Sequence, residues 1–250
     1  MQNKERIIKW LEEMEIKNYT INDDLTVSVN GDVFISNKNL KTIPIKFKEV
    51  TGSFYCNQNN NLISLEGCPE IIGKDFYCYS NNKLTTLKGG PKKVNRNYYC
   101  MNNKLTSLEE IPKCINGDFN CSDNNLVSLE GCPESVDGNF DCSYNKIVSL
   151  EGSPKTVGQS FYCNNNMLTS LKGCTEHITK HFHCNHNILT SLEGSPRSIG
   201  RNFNCSYNKL TSLNGPETVG DNFICYGAHL DDNYDVITKI GRRLIREYWW

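Results

Sequence analysis

From Phe54 to Leu213 the apolar and polar positions of the chain recur in one order. An aromatic residue is followed by a variable one, a cysteine, two variable residues, an asparagine, another variable residue, a leucine, two more and a second leucine. Phe203-Asn204-Cys205-Ser206-Tyr207-Asn208-Lys209-Leu210-Thr211-Ser212-Leu213 shows the order in full, and a shortened last copy begins at Phe223-Ile224-Cys225. An aromatic and a cysteine two residues apart point to the same side of a short strand. Strands of successive repeats are expected to pair in parallel at about 4.8 Å per turn, so that ten of them make a sheet roughly 43 Å long. The asparagine marks the strand's end, where an amide that donates and accepts at once can satisfy the backbone of a bend. The two leucines and a β-branched residue closing each turn (Ile72, Val94, Ile115 and their equivalents) fill the remaining interior. Glycine and proline in the return segment, as at Gly131 and Pro133, predict an extended or turn-like path and not an α-helix.

The flanks read differently. Ile7, Ile8, Leu11 and Met14 fall at helical spacing with Trp10 beside them, which predicts a helix over 5–16. Asn18 to Asp24 is polar and turn-rich. Leu25, Val27 and Val29 alternate as in a strand, and Asn30-Gly31 is a hairpin signal with Val33 and Ile35 on its far side. Val33 and Ile35 also take the aromatic and cysteine positions of a degenerate first repeat that runs to Gly52. Past Cys225, Tyr226-Gly227-Ala228 replaces the asparagine bend, and Asp231-Asp232-Asn233 supplies helix-capping side chains. Val236, Ile237, Ile240, Leu244 and Ile245 are helically spaced with Lys239, Arg242, Arg243 and Arg246 opposite, which predicts a C-terminal capping helix. The organisation expected is an N-terminal cap of helix and strand (1–32), a repeat array (33–225) and a C-terminal cap (226–250). Such caps cover the apolar layers that a solenoid exposes at its ends.

The repeat resembles the leucine-rich repeat, whose core reads L-x-x-L-x-L-x-x-N-x-L. An aromatic stands at the second leucine position and cysteine at the third, the asparagine and following leucine match, and the opening leucine is displaced by one residue to Val or Ile. The resemblance covers about Val33 to Cys225. It implies an α/β-type repeat solenoid dominated by strands, with a parallel concave sheet, an extended or turn-like convex side and helical caps at both ends. The short period and the L-T-S-L-x-G-x-P string are similar to compact repeats of bacterial, bacteriophage and large-DNA-virus proteins. That similarity implies a protein-binding function, and further a phage or viral factor that engages a host defence protein. Some bacterial effectors of this repeat class carry a ubiquitin-ligase domain, and this chain has no residues left over to make one.

Composition changes the picture in three ways. The net charge is −1, from 27 Lys and Arg against 28 Asp and Glu, so the whole molecule has no electrostatic pull toward nucleic acid. No run of 18 apolar residues exists to span a membrane, and the N-terminus lacks the unbroken apolar core of a secretory signal, so an intracellular, cytoplasmic setting is expected. Of the 13 cysteines, nine occupy the one repeat position, at separations of 20 to 22 residues. That is a row of small buried side chains, not a disulfide scaffold. The other four, Cys68, Cys114, Cys132 and Cys174, lie in the turns, and an odd total points to reduced thiols.

No Walker, zinc-protease, nucleophile-elbow or dinucleotide motif appears, so an enzyme is not expected, nor a cofactor. Candidate chemistry sits where the repeat varies. The residue after each aromatic reads Tyr55, Tyr77, Tyr99, Asn120, Asp141, Tyr162, His183, Asn204 and Ile224, and the residue after each cysteine includes Tyr79 and Met101. Tyr55, Tyr77, Tyr79, Tyr99 and Met101 form an aromatic cluster on the outward face, with Asp141, Tyr162, His183, Asn204 and Tyr207 as further partner-binding candidates. Such rings either stabilise the sheet through cross-strand pairs or anchor a protein partner, and their clustering on an exposed face favours the partner. Four of the five histidines fall in one repeat, and His181, His183 and His186 are the candidates for a metal-binding or pH-sensing module. The chemistry-free reading is that polar outward positions drifted to histidine. Tyr248-Trp249-Trp250 either folds back over the last repeat or forms a sticky end for a partner or a second copy. The rival function is therefore a structural component that self-associates through its caps.

Overall fold

The computed structural model of the chain describes residues 3–228 and 238–245. One parallel sheet of eleven strands runs the length of the molecule. Its strands are Val33–Phe34, Phe54–Tyr55, Phe76–Tyr77, Tyr98–Tyr99, Phe119–Asn120, Phe140–Asp141, Phe161–Tyr162, Phe182–His183, Phe203–Asn204, Asn222–Ile224 and Arg243–Ile245, one from each of coils 1 to 11. Each residue lies beside its counterpart one repeat on, Phe54 by Phe76 and Phe119 by Phe140. The β-branched row forms the opposite wall in short strands of its own, among them Ile71–Ile72, Lys93–Val94 and Cys114–Ile115, grouped in sheets of five, three and four strands. The return path is extended, as the glycines and prolines require.

The interior between the two walls is the predicted one. No residue of the aromatic, cysteine, leucine or β-branched rows between Phe54 and Cys225 is more than 4% exposed. All thirteen thiols are free. Row thiols donate to the next coil, Cys100 Sγ to Asn120 O at 3.4 Å and Cys163 Sγ to His183 O at 3.4 Å. Tyr98 is the one tyrosine in the Phe row, and its hydroxyl lies over Gly90, where neighbouring coils carry the larger Cys68 and Ile111.

The strands are short because each coil turns two residues after its cysteine. Gln58, Ser80, Asn102, Asp123, Tyr144, Asn165, His186 and Tyr207 all take φ between 52° and 57° there. This left-handed conformation costs about 1–2 kcal/mol for a residue with a Cβ. The asparagine that follows holds the bend. Asn103 Nδ2 donates to Cys100 O (2.8 Å) and to Cys78 O one coil earlier (3.0 Å), while its Oδ1 accepts from Asn81 N (2.7 Å). A second polar ladder, in the residue before each aromatic, did not emerge from the sequence. Asp32 Oδ1 accepts from Ser53 N, Asn97 Oδ1 from Asp118 N and Asp118 Oδ1 from Asn139 N, each at 2.7 Å.

Both ends differ from expectation. The N-terminal helix α1 (Lys4–Glu13) is capped by Asn3 and buries Ile7 and Leu11. The hairpin, however, is made by Tyr19–Ile21 against Val27–Val29, within the stretch read as turn-rich, and Asn30-Gly31 is the corner from which the chain crosses to the eleven-stranded sheet. At the C-terminus, the expected helix through Ile240, Leu244 and Ile245 is corrected. Lys239–Ile240 pairs with Thr218–Val219, and Arg243–Ile245 pairs with Asn222–Ile224, so these residues build one more coil. Gly227, at φ 70°, keeps the left-handed corner. Asp231 to Asp232-Asn233, Val236, Ile237, Arg246 and Tyr248-Trp249-Trp250 lie outside the described residues.

Candidate functional site

Alternation along each strand sends the aromatic and cysteine inward and the residue between them outward. On coils 1 to 4 that outward residue is Phe34, Tyr55, Tyr77 and Tyr99. In-register parallel pairing stacks their rings. Phe34 and Tyr55 have centroids 4.6 Å apart and planes at 13°, Tyr55 and Tyr77 4.6 Å and 6°, Tyr77 and Tyr99 5.2 Å and 22°. Tyr79 meets the Tyr77 ring edge-on at 6.3 Å, and Met101 holds the same row on coil 4. The structure thus brings together the predicted aromatic cluster and adds Phe34, 58% exposed. The signal for Phe34 was present in the degenerate first repeat, where Val33-Phe34-Ile35 aligns with Phe54-Tyr55-Cys56.

The rings cover one another's faces, so a ligand on this surface meets ring edges and hydroxyls. Burial, and then the charge of Asp118, which accepts from Tyr99 Oη at 3.3 Å, push the Tyr99 phenol up to about 12. Burial, and then Asp75, raise that of Tyr77. Both stay neutral hydrogen-bonding phenols near neutral pH. The face offers apolar contact with polar tips.

The other candidates are dispersed along the sheet. Asp141 on coil 6 is turned down onto its own strand, accepting from Ser143 N at 2.9 Å and Ser143 Oγ at 2.6 Å. Its carboxyl is raised by burial against these two bonds. Asn204 likewise accepts from Ser206 N at 3.1 Å, and Ser206 is buried beneath the turn, where its Oγ accepts from Tyr226 N. Asn202 accepts from Asn222 N at 3.1 Å in the polar ladder. Tyr162 and His183 meet edge-to-face at 5.2 Å. Tyr207 stands 41% exposed on the left-handed corner, stacked on His186 at 4.5 Å, and is separate from the tyrosine ladder.

That last contact separates the three candidate histidines. His181 and His183 are neighbours, with ring centroids 5.9 Å apart, but His186 sits past the bend against Tyr207. Among the described residues, no three His, Cys, Asp or Glu side chains are placed to hold a metal ion. His181 Nδ1 is buried without a hydrogen-bond partner, at the one coil where the polar ladder has a ring in place of Asp, Asn or Ser. A groove of about 1020 Å³ lies on the opposite wall, lined by Ile43, Ile45, Gly89, Glu110, Ile111 and Lys113, among others. Among the described residues, no helix is long and apolar enough to cross a membrane.

No protein-family model matches the sequence, and no curated protein matches it. Among solved structures the chain is similar to YopM from Yersinia enterocolitica WA-314, with 16% identity and a TM-score of 0.48 over 86% of this chain. It spans 55% of the length of that chain. The leucine-rich-repeat character of the protein rests on its own repeat and strand pairing.

Proposed function

We propose that this is a non-enzymatic binding module that recognises a protein partner through the outward face of coils 1 to 4. A parallel-strand solenoid is a scaffold commonly used for protein binding, and its extended surface suits that task. The observation that carries the proposal is the ladder Phe34, Tyr55, Tyr77 and Tyr99, clustered at one end of a sheet whose later outward positions are mainly polar. Sheet stability alone does not require the cluster, because coils 5 to 10 keep their strands without it. The finer reading, a phage or viral factor that engages a host defence protein, rests on the resemblance of the repeat string.

Tyr77→Ala removes two ring stacks, each worth about 0.5–1.5 kcal/mol, so its folding must be followed alongside binding. Affinity capture from cell extract should lose the specific partner about tenfold or more with Tyr77→Ala and Tyr99→Ala, the scale of one hot-spot residue. Equal capture by chains with cooperative melting would sink the proposal. Light scattering separates it from the rival reading, self-association through the ends, which predicts a dimer or larger species.

A further inference from the structure

The N-terminal cap closes one wall of the solenoid and leaves the other open. On the return wall, Tyr19–Ile21 lies antiparallel to Val27–Val29 and ends that sheet. Helix α1 covers the interior, with the Trp10 ring 6.3 Å from Phe47. Among the described residues, no strand pairs with the outer edge of the eleven-stranded sheet. Its first strand, Val33–Phe34, pairs with coil 2 alone. Val33 N and Ile35 N donate to Ser53 O and Tyr55 O of coil 2. Strand alternation therefore turns the N–H and C=O of Phe34 toward the open edge.

Two further features meet at that edge. The Phe34 ring is stacked on Tyr55 through one face only, and its other face ends a stack that advances one ring per coil. Beside it lies a cavity of about 360 Å³, walled by residues 14–18 on one side and by 30–32, Phe34, Ser36 and Lys38 on the other. The charges on its rim, Glu15 and Asp32 against Lys17 and Lys38, balance, so recognition falls to the backbone and the ring.

We propose that the coil 1 edge is a strand-addition site. An extended segment of a protein partner pairs with Val33–Phe34 and places an aromatic side chain on the free face of Phe34, as the next ring of the ladder. Exposed strand edges template this pairing, with main-chain bonds giving affinity and side-chain contacts giving selectivity. A free aromatic compound would satisfy the ring and leave the edge unpaired. A second copy stacking head to tail would bring Ile245, not a ring, to the Phe34 row. The proposal goes beyond the face reading, since it uses the end of the ladder and not its outward edges.

The test is selection of short random peptides on the intact protein, followed by amide hydrogen exchange. The enriched peptides should carry an aromatic residue and slow exchange at Phe34 on binding. Phe34→Ala should weaken them about tenfold or more, while Phe34→Tyr and Tyr99→Ala leave them unchanged. Phe34 is largely exposed, so its loss is compatible with folding, and a melting curve checks this. The proposal is overturned if no peptide is enriched over an unrelated protein. It is equally overturned if enriched peptides bind Phe34→Ala as tightly, if protection falls elsewhere, or if indole alone binds as well. Because Tyr99→Ala is expected to spare this site and to weaken the face, failure of one proposal is distinguishable from failure of the other.

Discussion

His181 and His183 show how much one residue can disturb a repeating scaffold. On the other coils from 1 to 10 the polar ladder offers an Asp, Asn or Ser oxygen to accept from the next coil, and at coil 8 an imidazole takes that place. Tyr162, on coil 7, is the titratable neighbour on the adjacent strands, and coil 9 presents Asn202 and Asn204, so no carboxylate there favours a charged ring. Burial, and then proximity to His181, hold the His183 pKa below its ordinary value of 6.5. The sign follows directly. As pH falls through the ordinary histidine range, the unfolded chain takes up the proton first, so stability is lost on acidification below about pH 6.5, until the folded pKa is passed. The slope from this one group is at most about 1.4 kcal/mol per pH unit. Urea midpoints measured between pH 7.5 and pH 5 should fall more for the native chain than for His183→Asn. Parallel curves would show that His183 is not linked to folding.

At the scale of the turn, coil 4 breaks the rule its neighbours follow. After the second leucine, coils carry glycine in the left-handed region, as at Gly89 and Gly194, but coil 4 carries Glu110 at φ 66°. A Cβ added at Gly194 would come within 2.6 Å of Lys172 N on the preceding turn. Glu110 has that Cβ, and next to it the return wall is interrupted, with no bridge between Lys93–Val94 and Cys114–Ile115. Glu110→Gly should therefore raise stability by up to about 1 kcal/mol in denaturant titration, less the weak 3.4 Å bond that Glu110 accepts from Gly89 N. Gly194→Ala should lower stability by about 2 kcal/mol, since both the conformation and the contact oppose it. Equal effects at the two sites would remove the steric account. This scale also shows what the sequence makes legible. The interior rows are readable because each is nearly one residue type at a fixed spacing. The ends are not, because a two-residue strand has too little length to express a period. Val236, Ile237, Ile240, Leu244 and Ile245 satisfied helical spacing, yet Ile240-Gly241-Arg242 also repeats Ile199-Gly200-Arg201, and that match to the array was the better guide. For the candidate site, the tyrosines were legible as a cluster, whereas the inward turn of Asp141 and Ser206 depends on hydrogen bonds that spacing does not encode.

Across the whole molecule, contacts run from each coil to the next, so stability should be a sum of coil and nearest-neighbour interface contributions. The two ends are unequal in this respect. At the N-terminus α1 buries Ile7 and Leu11 against the array. At the C-terminus coil 11 puts Leu244 where coils 2 to 10 have a buried aromatic, and Leu244, Ile245 and Ile240 remain only half-buried. Unfolding should begin there. The cysteine row supplies one reporter in each of coils 2 to 10. Burial raises the thiols of Cys121, Cys142, Cys163 and Cys205 well above their ordinary value, which suppresses the thiolate that an alkylating reagent needs. Cys114 is exposed and should react in the native protein. Pulse alkylation with mass spectrometry at rising urea should label Cys225 first, then Cys205, before Cys121 and Cys56. Labelling of all the row thiols at a single urea concentration would instead show that the coils unfold as one unit and that the weaker C-terminal interface does not control the process.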